Sequence, residues 1–249
     1  MSPQNALLRE IPRRRDHHTH GLRVTTATHL TTAAPSVTDP KAPLELAAAQ
    51  RPGADMHSEA IDRLTRVCEF RDDDTHHHSQ RIGRAARIIA EAMGLGTDFG
   101  ALLEQAAPLH DIGKVGISDT ILLKPGRLTP EERADMEQHT LIGQKILEGG
   151  TTEAVQMAEM IALSHHERWD GNGYPHGLFG DETPIGARIV AVVDVFDALT
   201  HERPYKRAWP LTEAVAHIVA GAGTHFDPAV VAAFRTVDPC DLLGGCDER

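Results

Sequence analysis

Histidines and aspartates recur in this chain as short groups separated by apolar sequence. Two adjacent histidines, His165 and His166, precede a turn that ends in Gly173-Tyr174-Pro175. Upstream stands the doublet His110-Asp111, and downstream Asp194 lies inside an apolar run. Neutral imidazoles and carboxylates are the ligands that proteins use for metal ions that activate water near neutral pH. The grouping therefore indicates a hydrolytic enzyme with a metal centre.

The residues expected to face the interior are too many for one ion, which takes about four to six ligands. Two ions that share a bridging carboxylate suit such a set, and two ions about 3.5–4 Å apart are common in enzymes that act on phosphoryl groups. Mixed imidazole and carboxylate ligation without thiolate suits Fe, Mn, Zn or Co. The set consists of His78, His110, Asp111, His139, His165, His166 and Asp194.

Each of these residues also has a simpler explanation when it is taken alone. An inward-facing histidine is more often a hydrogen-bonded core residue than a ligand. The His110-Asp111 doublet suits the end of a helix, and Asp194 is close enough in sequence to pair with Arg188 or Arg203. Burial of the whole set without a cation would nevertheless be very costly, so the set as a whole favours a metal centre.

Helical periodicity predicts the elements that bring these residues together. An apolar stripe over residues 82–92 continues backwards, at the same spacing, to His78 and then to Asp74. The string Thr129-Pro-Glu-Glu132 predicts a helix start with a capping box. The inward face of that helix is expected to hold Met136, His139, Gly143 and Ile146. The helices predicted in this part of the chain cover residues 58–69, 74–93, 98–110, from 129 onward and 153–166.

The segment from Ile185 to Leu199 is compatible with a strand or with a helix. A buried strand over residues 190–195 would fit an α/β fold, but the length and the spacing of the apolar residues favour a helix. Two further helices are predicted from Leu211 and from Asp227, and no other segment offers a sheet to join. The expected fold class is therefore all-α, a bundle of about seven or more helices.

Composition divides the chain into a central domain and two tails. Residues 1–56 are rich in Thr, Pro, Ala, His and Arg without a sustained period, which predicts a disordered or loosely held tail. Residues 57–238 are the predicted domain, and residues 239–249 are a predicted C-terminal tail. The 3 cysteines have no Cys-x-x-Cys spacing, so we expect reduced thiols.

Charge and hydropathy limit the classes of partner. A formal net charge of −11 disfavours broad binding of nucleic acid, although metal ions and a few local cations permit an anionic substrate. No apolar run is long enough to span a membrane. The arginines at residues 13–15 are not followed by the apolar run of a signal peptide. We therefore expect a cytoplasmic protein that does not bind membranes.

The longer strings around these residues resemble one known family. His110-Asp111 is similar to the doublet of the HD superfamily of metal-dependent phosphohydrolases. The strings over residues 110–114, 165–175, 194–200 and 203–206 resemble the HD-GYP subfamily. The resemblance extends over about Ser58 to Phe234, nearly all of the predicted domain. It implies a helical HD domain that hydrolyses the bacterial second messenger cyclic di-GMP.

The resemblance also implies a role for each site residue. The first metal ion would take His78, His110, Asp111 and Asp194, and the second would take Asp111, His139, His165 and His166. Asp111 would bridge the ions, with Fe or Mn expected. Lys114 would lie over the reacting phosphate, Arg203 and Lys206 would bind phosphate, and Tyr174 would lie in a loop that governs substrate access and protein partners. Surface charge is the alternative for Arg203 and Lys206, and turn packing is the alternative for Tyr174.

Four questions stay open at this point. Asp74 stands where some members hold a third ion with a glutamate, so the centre has either two ions or three. Hydrolysis would open cyclic di-GMP to linear pGpG, and a second cut would give GMP. The alternatives are a module that senses a cyclic dinucleotide or docks a partner with weak or no hydrolysis, and a hydrolase of another cyclic dinucleotide such as cyclic GMP-AMP. A homodimer is one candidate for the oligomeric state.

Overall fold

A computed structural model describes residues 78–202 and 207–245, together with residues 59, 61 and 63–66. All of these residues belong to one compact unit, Ala48–Arg249. The predicted tail over residues 1–56 and the predicted site residues Asp74, Arg203 and Lys206 lie outside the described residues. Within the described part, the chain forms helices and no strand, so the predicted all-α class is confirmed.

Ten α-helices are described over residues 78–202 and 207–245, two of them only one turn long. They are α1 (His78–Ala92), α2 (Thr97–Ala106), α3 (Asp119–Leu122), α4 (Pro130–Glu137), α5 (His139–Leu147), α6 (Glu153–Ser164), α7 (Ile185–Thr200), α8 (Leu211–Ala220), α9 (Pro228–Phe234) and α10 (Pro239–Leu242). Three 3₁₀ helices cover Ala107–Leu109, Ile112–Gly116 and Gly180–Glu182. None of the helices in the described residues is long and apolar enough to cross a bilayer.

Helix α7 lies at the centre of the bundle, which explains why its sequence resembles a strand. It packs against α1, α6, α8 and α9, so that apolar residues are buried around most of its circumference. A helix surrounded in this way has a nearly continuous apolar sequence rather than a single stripe. The prediction of a helix over residues 185–199 is confirmed, and Ile189 and Phe196 are fully or almost fully buried in the core.

The helix predicted from Thr129 is divided into two. The capping box is present, because the Thr129 hydroxyl accepts a hydrogen bond from the Glu132 amide and the Glu132 carboxylate accepts one from the Thr129 amide. At Gln138, however, the amide donates to the carbonyl of Asp135, three residues back, which tightens the turn and changes the orientation of the helix that follows. The prediction that Ile146 shares the inward face is wrong: on α5 His139 and Gly143 are buried, whereas Ile146 is 45% exposed.

The segment between residues 111 and 128, predicted as a long loop, contains a 3₁₀ helix and α3. The 3₁₀ helix packs closely on α5 because Gly113 has no side chain. A Cβ atom at Gly113 would lie 1.8 Å from the carbonyl oxygen of His139 and 2.5 Å from the amide nitrogen of Gly143. This close approach sets the distance between the backbones that carry Asp111 and His139.

The last described helix, α10, lies in the segment predicted as a C-terminal tail. Leu242 is 3% exposed and packs within the hydrophobic core, where α10 contacts α1. Core packing therefore includes residues beyond 238. Cys240 is disulfide-bonded, so the prediction of reduced thiols is wrong for this residue. Spacing along the chain did not indicate the bond, because the fold decides which cysteines come together.

Candidate metal centre

Seven imidazole and carboxylate groups meet near the ends of several helices. His78 and His139 are the first residues of α1 and α5, and His165 caps the C-terminus of α6. The His110-Asp111 doublet lies between two 3₁₀ helices, and Asp194 lies within α7. Apart from Asp194, which lies in the middle of α7, these side chains lie at or beside helix ends, while apolar residues of the same helices form the core.

The side chains form two groups, and in each group the ligand atoms lie within 4.8 Å of one another. The structure therefore brings together all seven residues that the sequence singled out in its described part. One group contains His78, His110 and Asp194, and the other contains Asp111, His139, His165 and His166.

The Asp111 carboxylate lies between the two groups. Its Oδ2 atom is 3.2 Å from Nε2 of His110, which belongs to the first group. Its Oδ1 atom is 3.4 Å from Nε2 of His139 and 3.6 Å from Nε2 of His165, which belong to the second. In the first group, Asp194 Oδ1 is 3.6 Å from Nε2 of His78 and 3.9 Å from Nε2 of His110. One carboxylate thus presents an oxygen to each group, as a bridging ligand does.

Hydrogen bonds to Nδ1 fix the orientation of four of the rings. Nδ1 of His110 lies 3.0 Å from the carbonyl of Ala107, and Nδ1 of His139 lies 2.7 Å from that of Met136. Nδ1 of His165 is 3.0 Å from the carbonyl of Ile161, and Nδ1 of His78 is 2.6 Å from the carboxylate of Asp197. All four partners are acceptors, so Nδ1 carries the proton and Nε2 keeps its lone pair in each neutral ring.

The Nε2 atoms of these rings point at one another without hydrogen-bond partners. Five buried polar atoms of the centre make no hydrogen bond: Nε2 of His78, His110, His139 and His165, and Oδ1 of Asp111. Buried polar groups are almost always satisfied, and such a concentration of exceptions needs an explanation. Divalent cations would satisfy these lone pairs, so the donor set fits a metal centre.

The electrostatic environment also suits cations. Burial lowers the pKa of His139 to about 4 and holds that of His166 well below its usual range, so both rings are neutral at pH 7. Burial opposes protonation of His110 too, but the Asp111 and Asp194 carboxylates outweigh it and raise its pKa to about 9. Lys114 and His110 hold the pKa of Asp111 well below its usual range despite burial. Two of the imidazoles are therefore neutral, and the carboxylates that favour a proton on His110 equally favour a cation in its place.

Lys114 and Tyr174 border the second group. Nζ of Lys114 is 2.9 Å from Oδ2 of Asp111, so this cation lies at the bridging carboxylate. The Tyr174 ring stacks on His166, with 4.7 Å between ring centroids and 28° between their planes. Burial raises the pKa of the Tyr174 phenol, which stays protonated. Both residues are placed to contact a molecule bound at the centre.

A buried carboxylate shapes the loop that carries Tyr174. Glu167 is 3% exposed and accepts hydrogen bonds from the amides of His176 at 2.8 Å and of Leu178 at 3.0 Å. A Cβ atom at Gly173 would come within 2.4 Å of the Arg168 amide nitrogen, so only glycine fits there. The Tyr174 amide donates to the carbonyl of His166 at 3.2 Å. The loop is thus attached directly to the residues that follow α6.

Sequence reasoning gave no role to Glu167, Asp197 or Arg81. Both carboxylates are buried, and Asp197 accepts two hydrogen bonds from Arg81 at 2.7 and 2.9 Å. The spacing of Asp194 and Asp197, one helical turn apart in an otherwise apolar helix, was the available signal. Glu167 had no comparable signal, because its partners are backbone amides that only the folded loop brings near.

Comparison with known proteins is consistent with the geometry. The HD domain family matches residues 61–230. A cyclic di-GMP phosphodiesterase from Thermotoga maritima is 50% identical over 184 residues, which are 74% of this chain and 50% of the relative. The cyclic di-GMP phosphodiesterase response regulator RpfG from Xanthomonas campestris is 47% identical over 175 residues, 70% of this chain and 46% of the relative. The chain belongs to the HD domain family.

One further relative and one solved structure are also similar to this chain. The 3′3′-cGAMP-specific phosphodiesterase 2 of Vibrio cholerae is 41% identical over 173 residues, 70% of this chain and 33% of the relative. The chain thus spans about half or less of the length of these curated relatives. Bd1817, an HDG"Y"P protein from Bdellovibrio bacteriovorus, has the same fold with a TM-score of 0.54 at 18% identity, over 77% of this chain and 62% of the other.

Proposed function

We propose that this protein is a metal-dependent phosphodiesterase that hydrolyses cyclic di-GMP to linear pGpG and, by a second cut, to GMP. The observation that carries the proposal is the set of buried Nε2 atoms without hydrogen-bond partners around Asp111. Family membership and the names of the relatives at 50% and 47% identity support the substrate.

The proposed centre holds two divalent ions, Fe or Mn. The first is held by His78, His110, Asp111 and Asp194, and the second by Asp111, His139, His165 and His166. Bound at these ligands, the ions would supply an activated water and Lewis-acid stabilisation of phosphoryl oxygens. Whether Asp74 adds a third ion stays a prediction, because that residue lies outside the described part of the chain.

Protein side chains supply the remaining steps of the proposed reaction. Lys114 lies at the bridging carboxylate, where its ammonium group stabilises negative charge that grows on a phosphoryl oxygen. Tyr174 stays a phenol, so it can donate a hydrogen bond to substrate while its ring packs on His166. Arg203 and Lys206, which lie outside the described residues, are proposed to bind phosphate of the cyclic dinucleotide. The partner protein at the Tyr174 loop, the homodimer and the cytoplasmic location stay predictions.

A second candidate substrate is cyclic GMP-AMP. It is favoured by the relative at 41% identity that is named a cGAMP-specific phosphodiesterase. Both substrates contain the same phosphodiester ring, so the metal ligands do not distinguish them. The choice between them depends on residues that contact the bases.

The test is a turnover assay with metal content measured on the same sample. The chain is loaded anaerobically with Fe²⁺ or Mn²⁺, and cyclic di-GMP, cyclic GMP-AMP and their linear products are separated by chromatography. We expect conversion of cyclic di-GMP to pGpG. Binding of cyclic di-GMP without turnover at full metal occupancy would support the alternative of a sensing module. Faster turnover of cyclic GMP-AMP would assign the second substrate.

A further inference from the structure

Two aspartates of one helix bracket a single histidine. Asp194 and Asp197 lie one turn apart on α7, and both face His78 at the start of α1. Asp194 Oδ1 is 3.6 Å from Nε2 of His78, and Asp197 Oδ2 is 2.6 Å from Nδ1 of the same ring. The first carboxylate belongs to the proposed metal ligands, whereas the second contacts the opposite edge of the imidazole.

His78 differs in this respect from the other histidines whose rings are held at Nδ1. His110, His139 and His165 are held by backbone carbonyls three or four residues earlier in the chain. Those contacts depend only on local helical geometry. The ring of His78 is instead held by a charged side chain from another helix, so its position depends on how α1 and α7 pack.

Asp197 itself is held rigidly. Its side chain is 7% exposed, and its two oxygens accept hydrogen bonds from Nε and a terminal nitrogen of Arg81 at 2.7 and 2.9 Å. Arg81 lies one turn after His78 on α1, so both contacts join the same two helices. His201 Nδ1 is 3.2 Å from Oδ1 of Asp197 at the end of α7. Such a two-pronged arginine–carboxylate pair has a defined geometry that limits rotation of the carboxylate.

We propose that Asp197 is a positioning residue for the first metal site, which His78, His110 and Asp194 form. Through Asp197, ion binding at the first site depends on the packing of α1 against α7, whereas ion binding at the second site does not. The carboxylate holds the proton on Nδ1 of His78 and thereby keeps the Nε2 lone pair directed at Asp194 and His110. This inference rests on the proposed metal centre. A simple ion pair between helices is the competing role, and it would affect stability without preference for either group.

The substitution Asp197→Leu separates the two roles because it preserves the branched shape and removes both acceptor oxygens. Asparagine would not serve, because Oδ2 of Asp197 accepts from both His78 and Arg81 and an amide oxygen at that position would keep the His78 contact. In the leucine variant no acceptor holds the proton on Nδ1, so the tautomer whose Nε2 is protonated becomes available. That tautomer cannot bind a cation through Nε2.

The experiment measures Mn²⁺ binding by the metal-free chain in two backgrounds. In a His166→Ala background the remaining ion belongs to the first group, and in an Asp194→Ala background it belongs to the second. We expect Asp197→Leu to weaken Mn²⁺ binding about 10–100-fold in the first background. In the second background we expect the affinity to change less than threefold. Equal weakening in both backgrounds, or no weakening in either, would overturn the inference.

A loss of fold is controlled by the double variant Arg81→Met, Asp197→Leu, which removes both charges of the pair. Thermal unfolding of the metal-free variants reports stability separately from binding. The selective loss should persist in the double variant even where its unfolding temperature matches that of the parent. Failure of the unsubstituted chain to bind two Mn²⁺ ions would instead contradict the proposed metal centre, and the inference with it.

Discussion

Asp111 presents its two carboxylate oxygens to histidines of different groups, with 3.2 Å to His110 on one side and 3.4 Å to His139 on the other. No other residue among the described ligands lies between the groups in this way. The proposed two-ion centre therefore depends on this side chain more than on any single histidine.

Replacement of Asp111 by asparagine should reduce the binding of both ions. The amide lacks the negative charge and the second acceptor oxygen, and metal-ion catalysis supplies several kcal/mol, so hydrolysis should fall about 100-fold or more. Asp135→Asn, an exposed Asp-to-Asn change on α4, is the matched control and should leave metal content and turnover unchanged. Metal analysis and turnover on both variants check the prediction. An Asp111→Asn protein that keeps two ions at unchanged affinity would contradict the bridging role.

A second residue-level prediction concerns His225, which is distant in sequence from the proposed ligands. Burial is the largest cause that lowers the pKa of His225 to about 4, and the Arg168 cation acts in the same direction. The Asp170 carboxylate opposes both effects. The unfolded chain then binds more protons than the native one between pH 6.5 and 4, since an unperturbed histidine has a pKa of about 6.5. The contribution of His225 to stability is therefore complete above pH 6.5 and is lost as the pH falls towards 4.

NMR titration of the His225 ring checks this value directly. The resonance is assigned with His225→Phe, a variant that keeps an aromatic ring to stack on Phe226. We expect a midpoint near 4 for the native protein and a smaller loss of stability between pH 7 and pH 4.5 in the variant. A midpoint near 6.5 would show that the ring is not desolvated.

At the scale of single residues, the sequence indicated the proposed ligands but not the residues that hold those ligands in position. His110, Asp111 and Asp194 are recognisable because charged or titratable groups are rare inside apolar helical sequence. Asp197 and Glu167 act through partners that only folding brings near, namely a histidine of another helix and two loop amides. Such contacts between distant residues have no fixed spacing along the chain.

Among the elements, the contact between the 3₁₀ helix over Ile112–Gly116 and α5 sets the geometry of the second group. Gly113→Ala would place a methyl group 1.8 Å from the His139 carbonyl oxygen, so one backbone must move. We expect a loss of about 1–3 kcal/mol in the free energy of unfolding, with weaker binding of the second ion. Urea denaturation and Mn²⁺ titration measure the two effects.

The matched control is Gly186→Ala in α7, where an added Cβ atom would make ordinary contact with Leu103 at 3.4 Å. Because alanine favours a helix, its stability should be unchanged or raised by up to about 1 kcal/mol. Equal stability of the Gly113→Ala protein and the parent would show that the two backbones do not approach as closely as described.

The loop after α6 depends on the Glu167 carboxylate. In Glu167→Gln the side chain can accept from only one of the two amides, of His176 and Leu178, and the other faces an NH₂ group. We expect at least tenfold faster hydrogen exchange at one or both of these amides and a higher KM for the cyclic dinucleotide, with metal content unchanged. Glu148→Gln, at an exposed position, is the control. Unchanged exchange at both amides would contradict the role of Glu167.

The elements themselves were largely predictable, and the exceptions have physical causes. The capping box at Thr129 and the helix over residues 185–199 followed from local sequence. The break at Gln138 did not, because both helices have suitable sequence and only a shifted hydrogen bond separates them. The contribution of Leu242 to the core was also not predictable, since a short apolar segment acquires its place only from the bundle that receives it.

In the whole molecule, a continuous apolar core supports the polar centre at the ends of its helices. Ile82, Leu103, Ile161 and Phe196 are almost completely buried in α1, α2, α6 and α7, and each such side chain contributes about 1.5–3 kcal/mol on burial. This packing holds the candidate ligands in two groups, in which Nε2 of four histidines and Oδ1 of Asp111 make no hydrogen bond. We propose that the lone pairs of these atoms bind two cations.

Anomalous diffraction from crystals equilibrated with Mn²⁺ tests this claim most directly. We predict two anomalous peaks, one bound by His78, His110 and Asp194 and the other by His139, His165 and His166, with Asp111 in contact with both. A single peak, or no peak at saturating Mn²⁺ with the Nε2 atoms paired to protein groups, would contradict the two-ion centre.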